Sequence, residues 1–240
     1  MKKLTIITIC FNSAEFIERT VKSVCNQKNN QIEYIIIDGK STDNTLKIIE
    51  NYKNNIDKII SEKDEGIYDA YNKGINHASG DYIMFLNSGD WLNSSAIDKI
   101  LSAIQTKKNV YYSTENIFDE NQKFLYVKKA KRNLTPLWLA MPYSFPTMIL
   151  ETKLIKNIGG FDTSFATIAD YDLVIRLKKN KVQFSEMDGP TVNFSRGGIS
   201  DYGNDTKQKR MLFRKHNLGI MQLYLNLSLN YLLKLKNHLC

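Results

Sequence analysis

Apolar runs recur along the first part of this chain with helical stretches between them, and three of the four have an aspartate at or just beyond their ends. Residues 4–11 read as a buried strand, and Asn12 with Glu15 caps a helix through about Cys25. Residues 33–37 form a second strand that stops at Asp38-Gly39, and Ser41-Thr42-Asp43 cap a helix with Leu46, Ile49 and Tyr52 on one face. Residues 57–61 form a third strand, followed by Asp64, then a helix over 66–78. A fourth strand over 82–86 ends at Asn87-Ser88-Gly89-Asp90. Strands alternating with short helices predict an α/β fold with a Rossmann-like, mostly parallel sheet flanked by helices. Ligands of such sheets bind at the carboxyl ends of the strands, where Asp38, Asp64 and Asp90 gather.

The second half is less regular. Residues 110–118 and 123–127 read as a strand pair, 147–150 as a further strand, and Gly159-Gly160-Phe161-Asp162 as a turn. Residues 136–145 form an apolar loop or short helix, 170–179 an amphipathic helix, and Gly197-Gly198 a flexible loop. The 240 residues suffice for one sizeable core. A net charge of +8 and a pI near 9.2 favour anionic partners such as nucleotides, phospholipid surfaces and diphosphate-linked lipids. No nucleic-acid module is recognisable, so no nucleic-acid partner is expected. Cys10, Cys25 and Cys240 lack metal or disulfide spacing, which fits a reducing cytoplasm. Lys2 and Lys3 precede an apolar run, but no small-residue cleavage site follows it, so a buried first strand is expected rather than a signal peptide. No apolar stretch early or mid-chain reaches the length of a membrane span.

Three groups of residues can carry chemistry. A diphosphate leaves well only when its developing charge is neutralised, and a hard divalent cation on carboxylate oxygen does this; Asp90, at a strand end, suits that task. Asp38 and the acids of residues 61–70 can accept hydrogen bonds from a base or ribose, and Asn72, Lys73 and Gly74 follow on the helix. Asp170, at a helix start, can take a proton from an acceptor hydroxyl, whereas Asp172 points elsewhere and reads as structural. The same residue types also serve as turn formers and helix caps.

Taken in order, Thr8-Ile9-Cys10-Phe11-Asn12, Asp38-Gly39 with Ser41-Thr42-Asp43, Gly66-Ile67-Tyr68-Asp69-Ala70, Asn72-Lys73-Gly74, Asn87-Ser88-Gly89-Asp90, Gly159-Gly160-Phe161-Asp162 and Ala169-Asp170-Tyr171-Asp172 resemble the bacterial family 2 glycosyltransferases. That family has the GT-A fold, and the likeness runs over residues 4–200. The resemblance implies an inverting transfer of a sugar from a nucleotide-diphosphate donor, commonly a UDP-sugar, to a hydroxyl acceptor. Such enzymes build bacterial surface polysaccharide of the O-antigen or capsule type. It implies that Cys10, Asn12, Asp38, Asp64 and Asn72 bind the nucleotide sugar, that Asp90 holds Mn2+ or Mg2+, and that Asp170 is the catalytic base. Gly197, Gly198 and Ser200 match the family's mobile loop near the donor.

This chain departs from the pattern at several points. Its metal motif keeps only Asp90, Lys40 replaces a frequent glycine, Tyr71 stands where arginine or methionine is common, and Phe145-Pro146 replaces a frequent histidine. The rival readings are a non-catalytic nucleotide-sugar or glycan-binding scaffold and a sugar-phosphate nucleotidyltransferase. The latter needs a glycine-rich loop after the first strand, and Asn12-Ser13-Ala14-Glu15 has no glycine.

Residues 1–203 are expected to form the transferase domain and 204–240 a basic, amphipathic helical extension. The extension carries Lys207, Lys209, Arg210, Arg214 and Lys215 among Met211, Leu212 and Phe213, then a Leu-rich stretch over 223–239. Such a stretch docks on its own domain, joins a second subunit in a homodimer, or lies on a membrane surface. The expected location is the cytoplasm, with peripheral contact at the inner face of the cytoplasmic membrane through this region. The acceptor is expected to be a glycan or a lipid-diphosphate-linked glycan.

Overall fold

The computed structural model describes residues 3–130, 136, 140–197, 206–219, 221–223, 225 and 228. The first half runs β1 (Leu4–Cys10), α1 (Ile17–Cys25), β2 (Ile32–Asp38), α2 (Thr45–Glu50), β3 (Lys58–Ser61), α3 (Ile67–His77) and β4 (Tyr82–Phe85). The second runs β5 (Trp91–Leu92), α4 (Ala96–Ile104), β6 (Val110–Phe118), β7 (Phe124–Lys128), β8 (Ile149–Glu151), α5 (Thr152–Asn157), α6 (Ala169–Lys179), β9 (Phe184–Ser195) and α7 (Thr206–Lys215).

Every residue of β1 and β2 is buried, as strands covered on both faces require. Successive side chains point to opposite faces, so β1 feeds two cores. Ile7 and Ile9 join Ile35, Ile37, Tyr71 and Val174 on one face, under α3 and α6. Leu4, Ile6 and Cys10 join Ile36, Val21 and Ile100 on the other, under α1 and α4.

The sheet order is β3-β2-β1-β4-β8-β6-β9-β5, with β7 on the side of β6. Strands β3, β2, β1 and β4 are parallel, as expected. The expectation of a mostly parallel sheet fails beyond them. β8 lies antiparallel between β4 and β6, β6 and β9 are parallel, and β5 and β7 pair antiparallel. Strands β5 and β8 are too short to show a period in sequence, and β9 contains Gly189-Pro190 where its pairing with β6 slips register. Sequence patterning did not reveal α4, α5, β5 or β9, whereas the β6–β7 pair lies where expected.

The basic carboxyl-terminal stretch docks inward. Leu212 and Phe213 of α7 are buried, Leu212 in the core shared with α3 and α6. Lys215 bridges Asp162 and Asp172 at 2.7 Å each, and His216 Nε2 lies 2.8 Å from Asp172 Oδ1. Asp172 also accepts from Arg176 Nε at 2.7 Å, and Arg176 donates to the carbonyls of Ile158 and Gly160. Burial alone would raise the Asp172 carboxyl; bonds from His216, Lys215 and Arg176 overcome it and hold it well below the usual range. Asp172 thus fastens α6, α7 and the turn at 158–160 together. Most of the Leu-rich stretch over 223–239 lies outside the described residues, and no described helix is long and apolar enough to cross a membrane.

Candidate active site

Three parallel strands deliver their carboxyl ends side by side. Cys10 pairs with Asp38, and Asp38 with Ser61, so Cys10, Asp38 and the start of the loop to Asp64 form one row. The Asp38 carboxylate is fully buried and saturated. Oδ2 accepts from Ser41 N at 3.0 Å and Ser61 Oγ at 2.6 Å, and Oδ1 accepts from Ser41 Oγ at 2.5 Å. The Cys10 thiol sits 3.7 Å away; burial first, then the Asp38 charge, pushes it above its ordinary range. Both side chains are buried at the carboxyl ends of the strands, with the Asp38 carboxylate held in place by Ser41 and Ser61.

The rim is more open. Asn12, exposed and in the left-handed region at φ 45°, accepts Thr42 N at 2.9 Å through Oδ1, while its N–H donates to Ser41 Oγ at 2.8 Å. Asp43 receives Ala14 N at 3.0 Å, so the loops after β1 and β2 are laced together. Asp64 Oδ1 accepts from Lys73 Nζ at 2.7 Å, and Lys73 also pairs with Glu62 and Asp69. Asp64 Oδ2 lies 2.9 Å from where a Cβ on Gly39 would stand, so only glycine at 39 leaves that carboxylate its place. Lys40, which replaces a frequent glycine, adopts φ 64°, a left-handed conformation that explains the glycine preference.

Asn72 bonds to the turn at 159–162. Its Nδ2 donates to Phe161 O at 2.9 Å and its Oδ1 accepts from Phe161 N at 2.9 Å. The side-chain amide mimics a strand partner and clamps α3 to the turn at 159–162. Both ends of the Asn72 amide, expected from sequence at the nucleotide sugar, are engaged by Phe161 in this structure.

The turn after β4 carries Asp90. Gly89 adopts φ +102°, which a side chain would strain. Its N–H donates to Thr20 Oγ1 at 3.0 Å, and Thr20 Oγ1 donates to Asp90 O at 2.7 Å, tying the turn to α1. Arg19 donates through Nη2 to Gly89 O and stacks 3.9 Å over the Trp91 ring. Asp90 itself is buried, and Oδ1 accepts from Ser195 N at 3.0 Å. Burial pushes its carboxyl up to about 8; the Ser195 N–H and Arg19 pull down and the charge of Glu115 pushes further up. Ser88 Oγ, Arg19 Nε and Nη1 are buried without a hydrogen-bond partner. Glu115 is wholly buried, forms an ion pair with Lys128 at 2.8 Å, and receives no well-directed hydrogen bond. Unsatisfied polar atoms thus concentrate around this turn.

Asp170 stands in the first turn of α6, where the helix dipole favours a carboxylate. Its Oδ1 accepts Tyr68 Oη at 3.1 Å and Tyr171 N at 2.9 Å. Burial nonetheless raises its carboxyl above the ordinary range. Tyr71, wholly buried on α3, donates to Asn87 Oδ1 at 2.5 Å, and its phenol feels the charges of both Asp170 and Asp90. A chain of contacts links Asp170 to the turn of Asp90: Tyr68, bonded to Asp170, packs 5.8 Å from Tyr71 and 5.4 Å from Phe161, Tyr71 bonds Asn87, and Asn87 O accepts from Asp90 N at 3.1 Å. Gly197 adopts φ +94° beside Glu120; Gly198 and Ser200 lie outside the described residues.

Sequence reading singled out neither Arg19 nor Glu115. Arg19 sits on an amphipathic helix like any solvated arginine, and Glu115 alternates within a strand. Only Tyr71 carried a signal, as a departure at a helix position.

Comparison with known proteins supports the same lineage. Residues 5–176 match the model of glycosyl transferase family 2. An uncharacterized glycosyltransferase of Mycobacterium tuberculosis is 30% identical over 179 residues, 72% of this chain and 68% of that one. A cholesterol galactosyltransferase of Borreliella burgdorferi is 34% identical over 177 residues, and this chain spans only 45% of its length. The chondroitin synthase of Escherichia coli is 26% identical over 191 residues, of which the chain spans 27%. Among solved structures, S. aureus TarS 1–349 in complex with UDP-GlcNAc superposes with a TM-score of 0.70 at 19% identity, covering 89% of this chain and 65% of that one. The GT-A expectation for the fold is met.

Proposed function

The chain belongs to glycosyl transferase family 2, and from that premise we propose that it transfers a sugar from a UDP-sugar to a hydroxyl acceptor with inversion at the anomeric carbon. The acceptor in this reading is a glycan, free or carried on a lipid diphosphate, in the synthesis of a bacterial surface polysaccharide such as an O-antigen or capsule. The observation that carries it is the chain of contacts from Asp170 through Tyr68, Tyr71 and Asn87 to the turn that bears Asp90.

The chemistry divides between them. Asp170 accepts the proton of the acceptor hydroxyl while that oxygen forms its bond to the anomeric carbon. The bond from that carbon to the diphosphate breaks, and the electron pair leaves with the phosphate. A raised carboxyl pKa brings the base closer to neutral pH, where proton transfer is most effective, and Tyr68 holds the carboxylate in orientation.

The residues at the turn fit a hard divalent cation, Mn2+ or Mg2+. Asp90 and Ser88 both offer oxygen, and the Ser88 hydroxyl is buried without a partner. Among the described residues no group of three or more His, Cys, Asp or Glu could hold a metal alone, so Asp90 and Ser88 would hold such a cation together with the donor's diphosphate. Such a cation would offset charge on the departing diphosphate.

The nucleoside lies at the rim made by Asn12, Lys40 and Asp64, over the floor of Cys10 and Asp38. Gly197, just past the end of β9, flanks the donor in this reading. The relatives named for chondroitin and hyaluronan synthesis support a polysaccharide product.

A panel of nucleotide sugars, scored for slow UDP release without acceptor, tests the reading. Release from one UDP-sugar, stimulated by Mn2+ or Mg2+, is the expected result. Donor binding with no release from any sugar would favour a non-catalytic scaffold.

A further inference from the structure

We infer that the β6–β7 hairpin is a membrane-docking element that seats the protein on an anionic lipid surface. Every residue from 121 to 129 is exposed, and these include Phe124, Leu125, Tyr126 and Val127 in immediate succession. Exposed apolar residues are ordinary singly; four in a row on both faces of an edge strand are not. The surrounding charge is mainly positive, with Asp119 and Glu120 confined to the hairpin turn. From Asn121 to Arg132 the sequence holds Lys123, Lys128, Lys129, Lys131 and Arg132 and no acid. Exposed apolar and aromatic side chains flanked by Lys123, Lys128 and Lys129 match the boundary between headgroups and acyl chains of an anionic bilayer.

Other occupants fit less well. A second copy pairing along β7 would bring Lys123, Lys128 and Lys129 of one copy near those of the other, in a chain already at +8. A glycan would find rings in Phe124 and Tyr126, but Leu125 and Val127 offer it neither a flat face nor a hydrogen bond. The basic helix α7 is the competing surface, yet its Leu212 and Phe213 are buried and Lys215 is bound to Asp162 and Asp172.

The hairpin's position gives docking a use. Trp91, next to Asp90, lies 4.7 Å from Phe118, which lies 5.7 Å from Phe124. Lys128 reaches back from β7 to Glu115, whose charge acts on Asp90. A surface held at the hairpin is thus one aromatic step from the turn that bears Asp90, where an acceptor anchored in lipid would be presented.

Flotation of the full chain with vesicles tests the inference without donor or acceptor, so it stands or falls apart from the transfer reaction. The wild-type chain is expected to float with phosphatidylglycerol–phosphatidylcholine vesicles, weakly with phosphatidylcholine alone, and less at high salt. The double variant Leu125→Glu/Val127→Glu should bind about tenfold more weakly, with an unchanged melting temperature, because neither side chain is buried. Arg210→Glu/Arg214→Glu on α7 should bind as wild type. As a gain of signal, tryptophan fluorescence of Leu125→Trp should shift to the blue on the anionic vesicles only. Wild-type binding that ignores lipid charge, a Leu125→Trp spectrum that does not move, or loss of binding through α7 and not the hairpin would overturn the assignment. So would sedimentation showing that the double variant merely splits a dimer while vesicle binding persists.

Discussion

The two halves of the site treat their polar groups in opposite ways. At the ends of β1, β2 and β3, nearly every donor and acceptor is matched within the protein: Asp38 takes three hydrogen bonds, Asp43 three, and Lys73 meets three carboxylates. Around Asp90 and Asp170 the balance is reversed. Carboxyls are raised by burial, and Ser88, Arg19 and Glu115 hold buried atoms without hydrogen bonds. Buried polar groups are normally satisfied, so a local concentration of unsatisfied ones marks where a charged ligand is expected to complete the structure. The first half is a preformed cradle. The second is a set of charges poised for a reaction.

The largest test of that contrast is Asp170→Asn. Removing the base should lower transfer by about 10²–10⁴-fold while leaving UDP affinity unchanged, as read by initial rates and calorimetry. A comparable rate in the variant would mean that the poised half has been misassigned.

Next comes Asp172→Ala, two positions on but on the structural side of α6. Removing one carboxylate strands Arg176, Lys215 and His216 and should cost about 3 kcal/mol, lowering the melting temperature by roughly 6–12 °C. The folded carboxyl lies below its unfolded value, so its stabilisation is present above about pH 4 and lost as pH falls below that. The wild-type melting temperature should therefore drop through that window more steeply than the variant's.

Asn72→Ala sharpens the boundary between fastening and binding. Leaving the N–H and carbonyl of Phe161 unmatched should destabilise by about 1–3 kcal/mol with UDP affinity retained. Weakened UDP binding at unchanged stability would return Asn72 to the pocket. The smallest effect is expected from Lys40→Gly, which relieves a left-handed lysine and should raise stability by about 0.5–1 kcal/mol. A loss of donor affinity in that variant would show that the lysine charge, and not the backbone, matters at the rim.

Much of the cradle was legible beforehand. Apolar strands ending in Asp38 and Asp90 announced a parallel half-sheet, and the Ser41-Thr42-Asp43 run announced the loop that closes it. Asp170 was legible as an acid at a helix start. The hydrogen bonds that Asp38 and Asn72 make within the protein were not, because a carboxylate or amide bonded to the protein and one exposed to solvent look identical in sequence. Arg19 and Glu115 were invisible for a related reason: each lies far along the chain from Asp90 and sits in an ordinary helical or strand pattern.

By itself the sequence determined the periodicities, and through them the parallel strands, the helices that cover them and the acids at the strand ends. Those depend on local propensity and side-chain alternation, which neighbouring residues carry. Tertiary structure alone decided that β8 enters antiparallel between β4 and β6, that α7 folds onto Asp172, and which buried groups are left without partners. Hydrogen-bond saturation and burial are properties of residues brought together from distant parts of the chain, and no stretch of sequence contains them.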